Sequence, residues 1–308
     1  MRTLSDLLDE AVKINSKSLL ETISQVACIL KAEREGSGKF EIMGRLVYLP
    51  TFGRVIVIGD IHGDLKSLEY ILTETNFLEK ASSKSDEYLV FLGDYGDRGV
   101  CSPEVYYVVL SLKVMFPEHV VLLQGNHEGP EDLLAHPHDL PMHIERKIGG
   151  DWRVVYQELS NLFRQFYVSV LVNERCVMLH GGVPSNAKCI EDVAFAYEKH
   201  PAETHLEEIL WSDPSDKVVG TCPSARGAGF IFGEDVTDAF LRMLNVHFVV
   251  RGHEPVYEGY KFNHKGKVLT LFSRRGPPYF NDYGAYLSFD LSETFDSARS
   301  LKPFIRKF

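Results

Sequence analysis

Apolar and polar positions fall in blocks along this chain, and five of the apolar blocks end alike. Residues 88–92 (Tyr-Leu-Val-Phe-Leu) run into Gly93 and then Asp94, Asp97 and Arg98. Residues 54–58 run into Gly59-Asp60-Ile61-His62-Gly63-Asp64, and 119–123 pass through Gln124 and Gly125 into Asn126-His127-Glu128. Residues 176–179 lead into His180-Gly181-Gly182, and 247–250 into Arg251-Gly252-His253-Glu254. Short apolar runs bounded by turn signals predict buried strands. Between the first three, helical spacing takes over. Leu68, Ile71 and Leu72 mark one helix within 65–77, and Pro103 opens another that runs to Met115. Strands alternating with helices in this way make βαβ units and a partly parallel sheet.

The two ends of the chain read differently. Residues 4–33 place Leu4, Leu7, Leu8, Ala11 and Val12, then Leu19, Leu20, Ile23, Val26, Ala27 and Leu30, at helical spacing. A break at Asn15-Ser16 and a stop at Gly36-Ser37-Gly38 predict two amphipathic helices. Later strands are expected at 167–172, 175–179, 247–251, 256–262, 267–272 and 285–289, with hairpin signals at Asn173-Glu174 and His264-Lys265-Gly266. The mixture predicts an α/β to α+β fold. With 308 residues, 44% of them hydrophobic, and no linker or repeat, we expect one catalytic domain over 1–308. Its core is placed at 45–300, with 1–38 as a helical segment packed on it.

Charge and cysteines narrow the setting. A net charge of −10 argues against a nucleic-acid-binding surface. Five scattered cysteines without a CxxC pair fit reduced thiols. Acidic residues (Asp6, Asp9, Glu10) stand where a signal peptide needs apolar ones, and no run of 18 apolar residues occurs. The expectation is a cytoplasmic protein with no membrane association.

The five strand ends deliver Asp60, His62, Asp94, Asn126, His180 and His253. All are oxygen or imidazole donors, and none is a thiolate. Binding groups in open α/β sheets gather beyond the carboxyl ends of strands, so these ends can converge on one site. The donor set suits Mn²⁺, Fe²⁺ or Zn²⁺. Six donors exceed the needs of one four-coordinate ion and fit two divalent metal ions, with Asp94 the natural bridging carboxylate. Cys28 and Arg34 have the CX₅R spacing of thiol-dependent phosphatases, but the residues between them (ILKAE) form helix rather than a glycine-rich phosphate loop.

The segments GDIHGD, GDYGDRG, GNHE, HGG and RGHE, in this order, resemble the PPP family of metal-dependent serine/threonine protein phosphatases within the metallophosphoesterase superfamily. The match runs from Gly53 to Phe289 and is most similar to archaeal-type members. It implies a two-sheet β-sandwich flanked by helices on both sides. It assigns Asp60, His62 and Asp94 to one ion, and Asp94, Asn126, His180 and His253 to the other. It implies that Asp97 orients His127 as general acid and favours its protonated form. Arg98 and Arg226 become phosphate clamps, and Asn126 and Tyr279 further substrate contacts.

The activity so implied is hydrolysis of phosphoserine and phosphothreonine in phosphoprotein substrates. Attack would be direct, by a hydroxide shared between the ions, with Mn²⁺ the metal expected in vitro and Fe or Zn the alternatives. The rival readings are a dinucleoside polyphosphate hydrolase sharing the metal motifs and a non-catalytic phosphoprotein-binding module. Two stretches depart from the eukaryotic-type pattern. In Ser273-Arg274-Arg275-Gly276-Pro277-Pro278-Tyr279-Phe280, extra residues blur the register of Tyr279, and both arginines are expected to add to substrate recognition. The Pro-bracketed loop 129–141, with His136 and His138, is expected to form an ordered rim.

Overall fold

The computed structural model describes residues 2–83 and 85–308. Fifteen strands follow in chain order. They are β1 (Glu41–Met43), β2 (Leu46–Leu49), β3 (Arg54–Ile58), β4 (Glu87–Phe91), β5 (Val120–Leu122), β6 (Ser169–Val172), β7 (Cys176–Leu179) and β8 (Asp213–Pro214), then β9 (Thr221–Pro223), β10 (Phe230–Phe232), β11 (Phe248–Arg251), β12 (Tyr260–Asn263), β13 (Val268–Leu271), β14 (Ala285–Asp290) and β15 (Ile305–Lys307). One sheet has the order β15-β14-β3-β4-β5 and a second β1-β2-β6-β7-β11-β13-β12; β8-β10-β9 form a small third. Strands β3, β4 and β5 are mutually parallel, as are β7, β11 and β13.

Side-chain alternation explains how the large sheet is buried on both faces. Cys176 and Met178 of β7, with Phe248 and Val250 of β11, join the main core with Val55, Val57, Leu89 and Phe91 of the other sheet. The intervening Val177, Leu179 and Val249 point the opposite way. They meet Val193, Leu206, Ile209, Phe240 and Leu241 from the helices outside. Successive strand side chains leave on opposite faces, so a strand buried on both sides must be apolar throughout. These sequences are, up to the Arg251 that ends β11.

The two N-terminal helices, Leu4–Val12 and Ser16–Arg34, begin where the residues demand. Thr3 accepts from the Asp6 amide, Asn15 accepts from the Ser18 amide, and each N-terminus is closed reciprocally as a capping box. Leu7, Ala11, Leu19, Ile23, Val26 and Leu30 are buried in the main core. Helix Ser16–Arg34 packs on helices Ser102–Met115 and Trp152–Phe163. Among the described residues no helix is long and apolar enough to cross a membrane.

The expected strand at 256–262 starts only at Tyr260. The Gly259 amide donates to the Val256 carbonyl, and Gly259 has φ +78°, so 256–259 is a turn. The hairpins at Asn173-Glu174 and His264-Lys265-Gly266 form, joining β6 to β7 and β12 to β13 in antiparallel pairs. Glu174, His264 and Lys265 take the positive φ that such tight turns need.

Candidate active site

The two sheets are tied together at the carboxyl ends of their parallel strands. The Asp60 carbonyl, just past β3, accepts from the Ser273 amide past β13, and His180 Nδ1 past β7 meets the Leu92 carbonyl past β4; within a sheet, the His62 amide donates to the Asp94 carbonyl. The His180 carbonyl accepts from the Gly252 amide. Each strand therefore stops at the same edge, and the following residues turn sharply. His62, Asp94, Asp97, Arg98 and His253 all have positive φ. Such a conformation is rare for residues with a side chain and concentrates at functional sites. Two glycines give the carboxylates room. A Cβ on Gly125 would lie 2.2 Å from Asp94 Oδ1, and one on Gly252 2.4 Å from Asp60 Oδ1.

The six candidate ligands are buried and come together. His62 Nε2 lies 3.8 Å from Asp60 Oδ2 and 3.5 Å from Asp94 Oδ2; His180 Nε2 lies 3.4 Å from Asp94 Oδ1. The Asn126 side-chain amide lies 3.1 Å from both Asp94 oxygens and 3.2 Å from His180 Nε2. The rings of His180 and His253 are 5.0 Å apart. Asp94 is common to two groups of close ligand atoms, one with His62 and His127 and the other with His180 and His253.

Proton positions sharpen the picture. His62 Nδ1 donates to the Gly96 carbonyl (2.8 Å) and His180 Nδ1 to the Leu92 carbonyl (2.9 Å), so each Nε2 offers a bare lone pair to the cluster. Among the described residues, Asp60 Oδ2 and both His253 nitrogens find no hydrogen-bond partner. Burial drives the imidazoles of His62, His180 and His253 well below their usual range. Burial likewise pushes the Asp60 carboxyl up to about 7 and that of Asp94 well above normal, the nearby Asp60 adding to the rise of Asp94. Among the described residues no lysine or arginine pairs with either acid. Lone pairs converging in the interior without donors are costly, and divalent cations satisfy such a set. The residues fit a pair of divalent ions.

Beside this cluster stands a separate acid couple. His127 Nδ1 is 2.5 Å from Asp97 Oδ2, and the His127 ring packs edge-on to His62 at 4.8 Å. Burial acts to raise the Asp97 carboxyl, but hydrogen bonds from His127 and His138 outweigh it and hold that group far below the usual carboxylate range. Arg98, Asn126, Arg226 and Tyr279 line the same cavity of about 480 Å³ as His62 and His127. Arg98 donates to the carbonyls of Pro137 (2.6 Å) and His136 (3.3 Å). Arg226 Nε donates to Asp213 Oδ2 (2.7 Å), whose other oxygen takes Arg251 Nη2 (2.8 Å). Tyr279 stacks on His62 with centroids 5.4 Å apart, which places the residue despite the extra residues before it.

Arg274 corrects an expectation. It is buried, with Nη1 on the His62 carbonyl (2.8 Å) and Nη2 on the Pro277 carbonyl, and so buttresses a ligand loop instead of meeting substrate. Arg275 is exposed, its amide on Asp64. Glu128 carries a role that sequence reasoning missed. Its carboxylate accepts from the amides of Asp94, Tyr95 and Gly125 and from the Tyr106 hydroxyl, clamping the loop after β4 onto the loop after β5. Its place in GNHE was the one available signal. Asp213 left no signal, and His138 stood out only as a histidine of the Pro-bracketed loop.

The pattern of the calcineurin-like phosphoesterases matches residues 53–257, more than half of the chain and all six candidate ligands. The chain belongs to the calcineurin-like phosphoesterase family. A protein of Encephalitozoon cuniculi named probable serine/threonine-protein phosphatase is 35% identical over 243 residues, 78% of this chain and 50% of that protein. The chain thus spans about half the length of that relative. A solved protein serine/threonine phosphatase from Saccharomyces cerevisiae has the same fold, with TM-score 0.70, 24% identity, and coverage of 89% of this chain and 82% of that one. So does a cold-active protein-tyrosine phosphatase of a psychrophilic Shewanella, with TM-score 0.53, 19% identity, and coverage of 82% and 79%. Both share the phosphoesterase sandwich of two sheets between helices. The thiol-based route is absent from this phosphoesterase: Cys28 is exposed on its helix, and Arg34 donates to the Gln165 carbonyl.

Proposed function

We propose that this phosphoesterase is a metal-dependent serine/threonine protein phosphatase. The observation that carries the reading is the buried His127–Asp97 couple, set against the His62 ring on a wall shared with Arg98 and Arg226. A serine phosphomonoester has a strongly basic leaving oxygen, and a positioned proton donor is what such an ester needs. The name of the Encephalitozoon relative supports the same substrate class.

Asp60, His62 and Asp94 would hold one divalent ion, and Asp94, Asn126, His180 and His253 the other. When bound, the pair supplies a water acidified to near-neutral pKa. Arg98 and Arg226 take phosphate oxygens through charge-assisted hydrogen bonds. Asn126 adds its amide on the inner side, and Tyr279 closes the wall over His62. Phosphorus is thereby held with its ester oxygen toward His127, which gives that oxygen a proton as it leaves. Asp97 fixes the ring by holding Nδ1, which leaves Nε2 as the proton-bearing atom that faces the cavity. A covalent phosphoenzyme is unnecessary, and no cysteine lines the cavity.

We read residues 1–308 as one catalytic domain, supported by the burial of Leu7, Ala11, Leu19 and Val26 in the main core. Manganese is the proposed assay metal, and the five free thiols support a reducing, cytoplasmic setting. The test is turnover of a phosphoserine peptide, diadenosine tetraphosphate and p-nitrophenyl phosphate side by side, with bound metal measured. Preference for the peptide is expected. Preference for the dinucleotide would replace this reading with the polyphosphate hydrolase.

A further inference from the structure

The loop 129–141 does more than form a rim. Asp97 Oδ2 is shared between two imidazoles, His127 Nδ1 at 2.5 Å and His138 Nδ1 at 2.8 Å. Asp97 Oδ1 takes the amides of Asp139 (2.9 Å) and Leu140 (2.6 Å). The far nitrogen of His138 is 2.9 Å from the Tyr156 hydroxyl. Tyr156 lies on helix Trp152–Phe163, which is anchored in the core through Val155, Leu159, Leu162 and Phe163. An unbroken line of hydrogen bonds therefore runs from a packed helix through Tyr156, His138 and Asp97 to His127.

We infer that His138 is a positioning residue for the proton donor: it locks the Asp97 carboxylate so that the His127 ring keeps one orientation toward the leaving oxygen. The inference rests on the proposed role of His127. Asp97 sits in a left-handed backbone conformation (φ 61°), which persists only where the surroundings over-determine it. Its two amide contacts pin one oxygen only. Without His138, the oxygen that holds His127 has no second restraint, and the carboxylate can turn about the pinned atom. The same segment carries the carbonyls of His136 and Pro137 that hold the Arg98 guanidinium, and Asp139 accepts from the Arg98 amide (2.9 Å). His138 thus stands at the centre of the strip that sets both the acid and one clamp.

The test compares His138→Leu with His138→Asn, whose amide nitrogen can stand where Nδ1 stands and donate to Asp97. Misplacement of a reacting group by about 1 Å costs roughly 10²-fold. His138→Leu is expected to lower kcat on a phosphoserine peptide by about 10–100-fold, the range found for supporting hydrogen-bond partners. It should lower kcat on p-nitrophenyl phosphate far less, because that leaving group departs without a proton. KM and bound metal should stay as in the parent. His138→Asn should recover most of the loss, and because it keeps the polar contact it stays informative even if the leucine variant folds poorly. Equal losses on both substrates, no loss on either, or no recovery in His138→Asn would overturn the inference. His127→Ala is assayed alongside: leaving-group bias there but none in His138→Leu sinks this inference alone, whereas no bias in His127→Ala removes the acid role beneath it.

Discussion

Two buried polar clusters lie in this fold, and they solve the same problem in opposite ways. Under the N-terminal helices, Lys113 Nζ meets Glu33 Oε1 (2.5 Å) and the carbonyls of Pro117 (3.0 Å) and Val120 (2.8 Å), while Glu33 Oε2 accepts from the Tyr167 hydroxyl (2.8 Å). All three ammonium protons and both carboxylate oxygens are used. Burial lowers the Lys113 pKa, and Glu33 draws it only part of the way back. At the strand ends, Asp60, Asp94, Asn126, His180 and His253 are as deeply buried, yet among the described residues no lysine or arginine pairs with the two acids. Burying charge carries a heavy desolvation penalty in both places. In the first, the chain carries the compensating cation, and the cluster is a fastener. In the second the compensation must come from outside, and the cluster is a receptor.

Asp94→Asn should separate the two most sharply. It removes the carboxylate proposed to serve both ions, so we expect at most one bound ion. Turnover should fall by roughly 10⁴-fold or more, since the acidified water near pH 7 is lost. In metal-free form the variant should be at least as stable as the parent, because a buried acid without a protein cation has gone. Two tightly bound ions by elemental analysis would break the comparison.

His127→Ala tests whether the receptor ends at the ligands. We expect both ions retained, with a loss of about 10²–10⁴-fold on a phosphoserine peptide and a much smaller one on p-nitrophenyl phosphate. A missing ion would move His127 into the ligand set.

Lys113→Met should behave in the reverse sense to Asp94→Asn. Leaving Glu33 buried and unpaired should cost about 3–5 kcal/mol in urea unfolding with metal content unchanged. The double variant Lys113→Met/Glu33→Gln should recover much of that loss, since both charges are gone. If the single variant is as stable as the parent, the cluster is no fastener.

Arg226→Ala should show the smallest effect. One charge-assisted contact contributes about 1.5–3 kcal/mol, or about 10–150-fold in kcat/KM, with metal retained. Unchanged kinetics would leave Arg98 as the clamp without a second.

Legibility in the sequence followed the range of the interactions. The capping boxes at Thr3 and Asn15, the hairpin at Asn173-Glu174 and the apolar runs of β3, β4, β7 and β11 are local and were readable where they stand. The strand-end motifs were readable because each pairs an apolar run with glycine and a ligand. Arg274 was misjudged because its partners are the carbonyls of His62 and Pro277, one of them 212 positions away in the chain. The roles of Glu128 and His138 escaped the sequence for the same reason: Glu128 and the Asp94 amide are 34 positions apart, His138 and Asp97 41.

By itself the sequence determined which chemistry the chain carries. The order of oxygen and imidazole donors at strand ends, the Asp97 and His127 types, and the absence of a thiolate follow from residue identity and short-range pattern. The tertiary structure decided which of two physically alike buried acids is answered from within and which is not. It also decided that Arg274 supports a loop while Arg98 and Arg226 face the cavity, and that one oxygen of Asp97 serves two histidines. Those outcomes depend on distances of a few ångströms between segments far apart in the chain. Only the face-to-face packing of two sheets, with their parallel strands ending together, sets such distances.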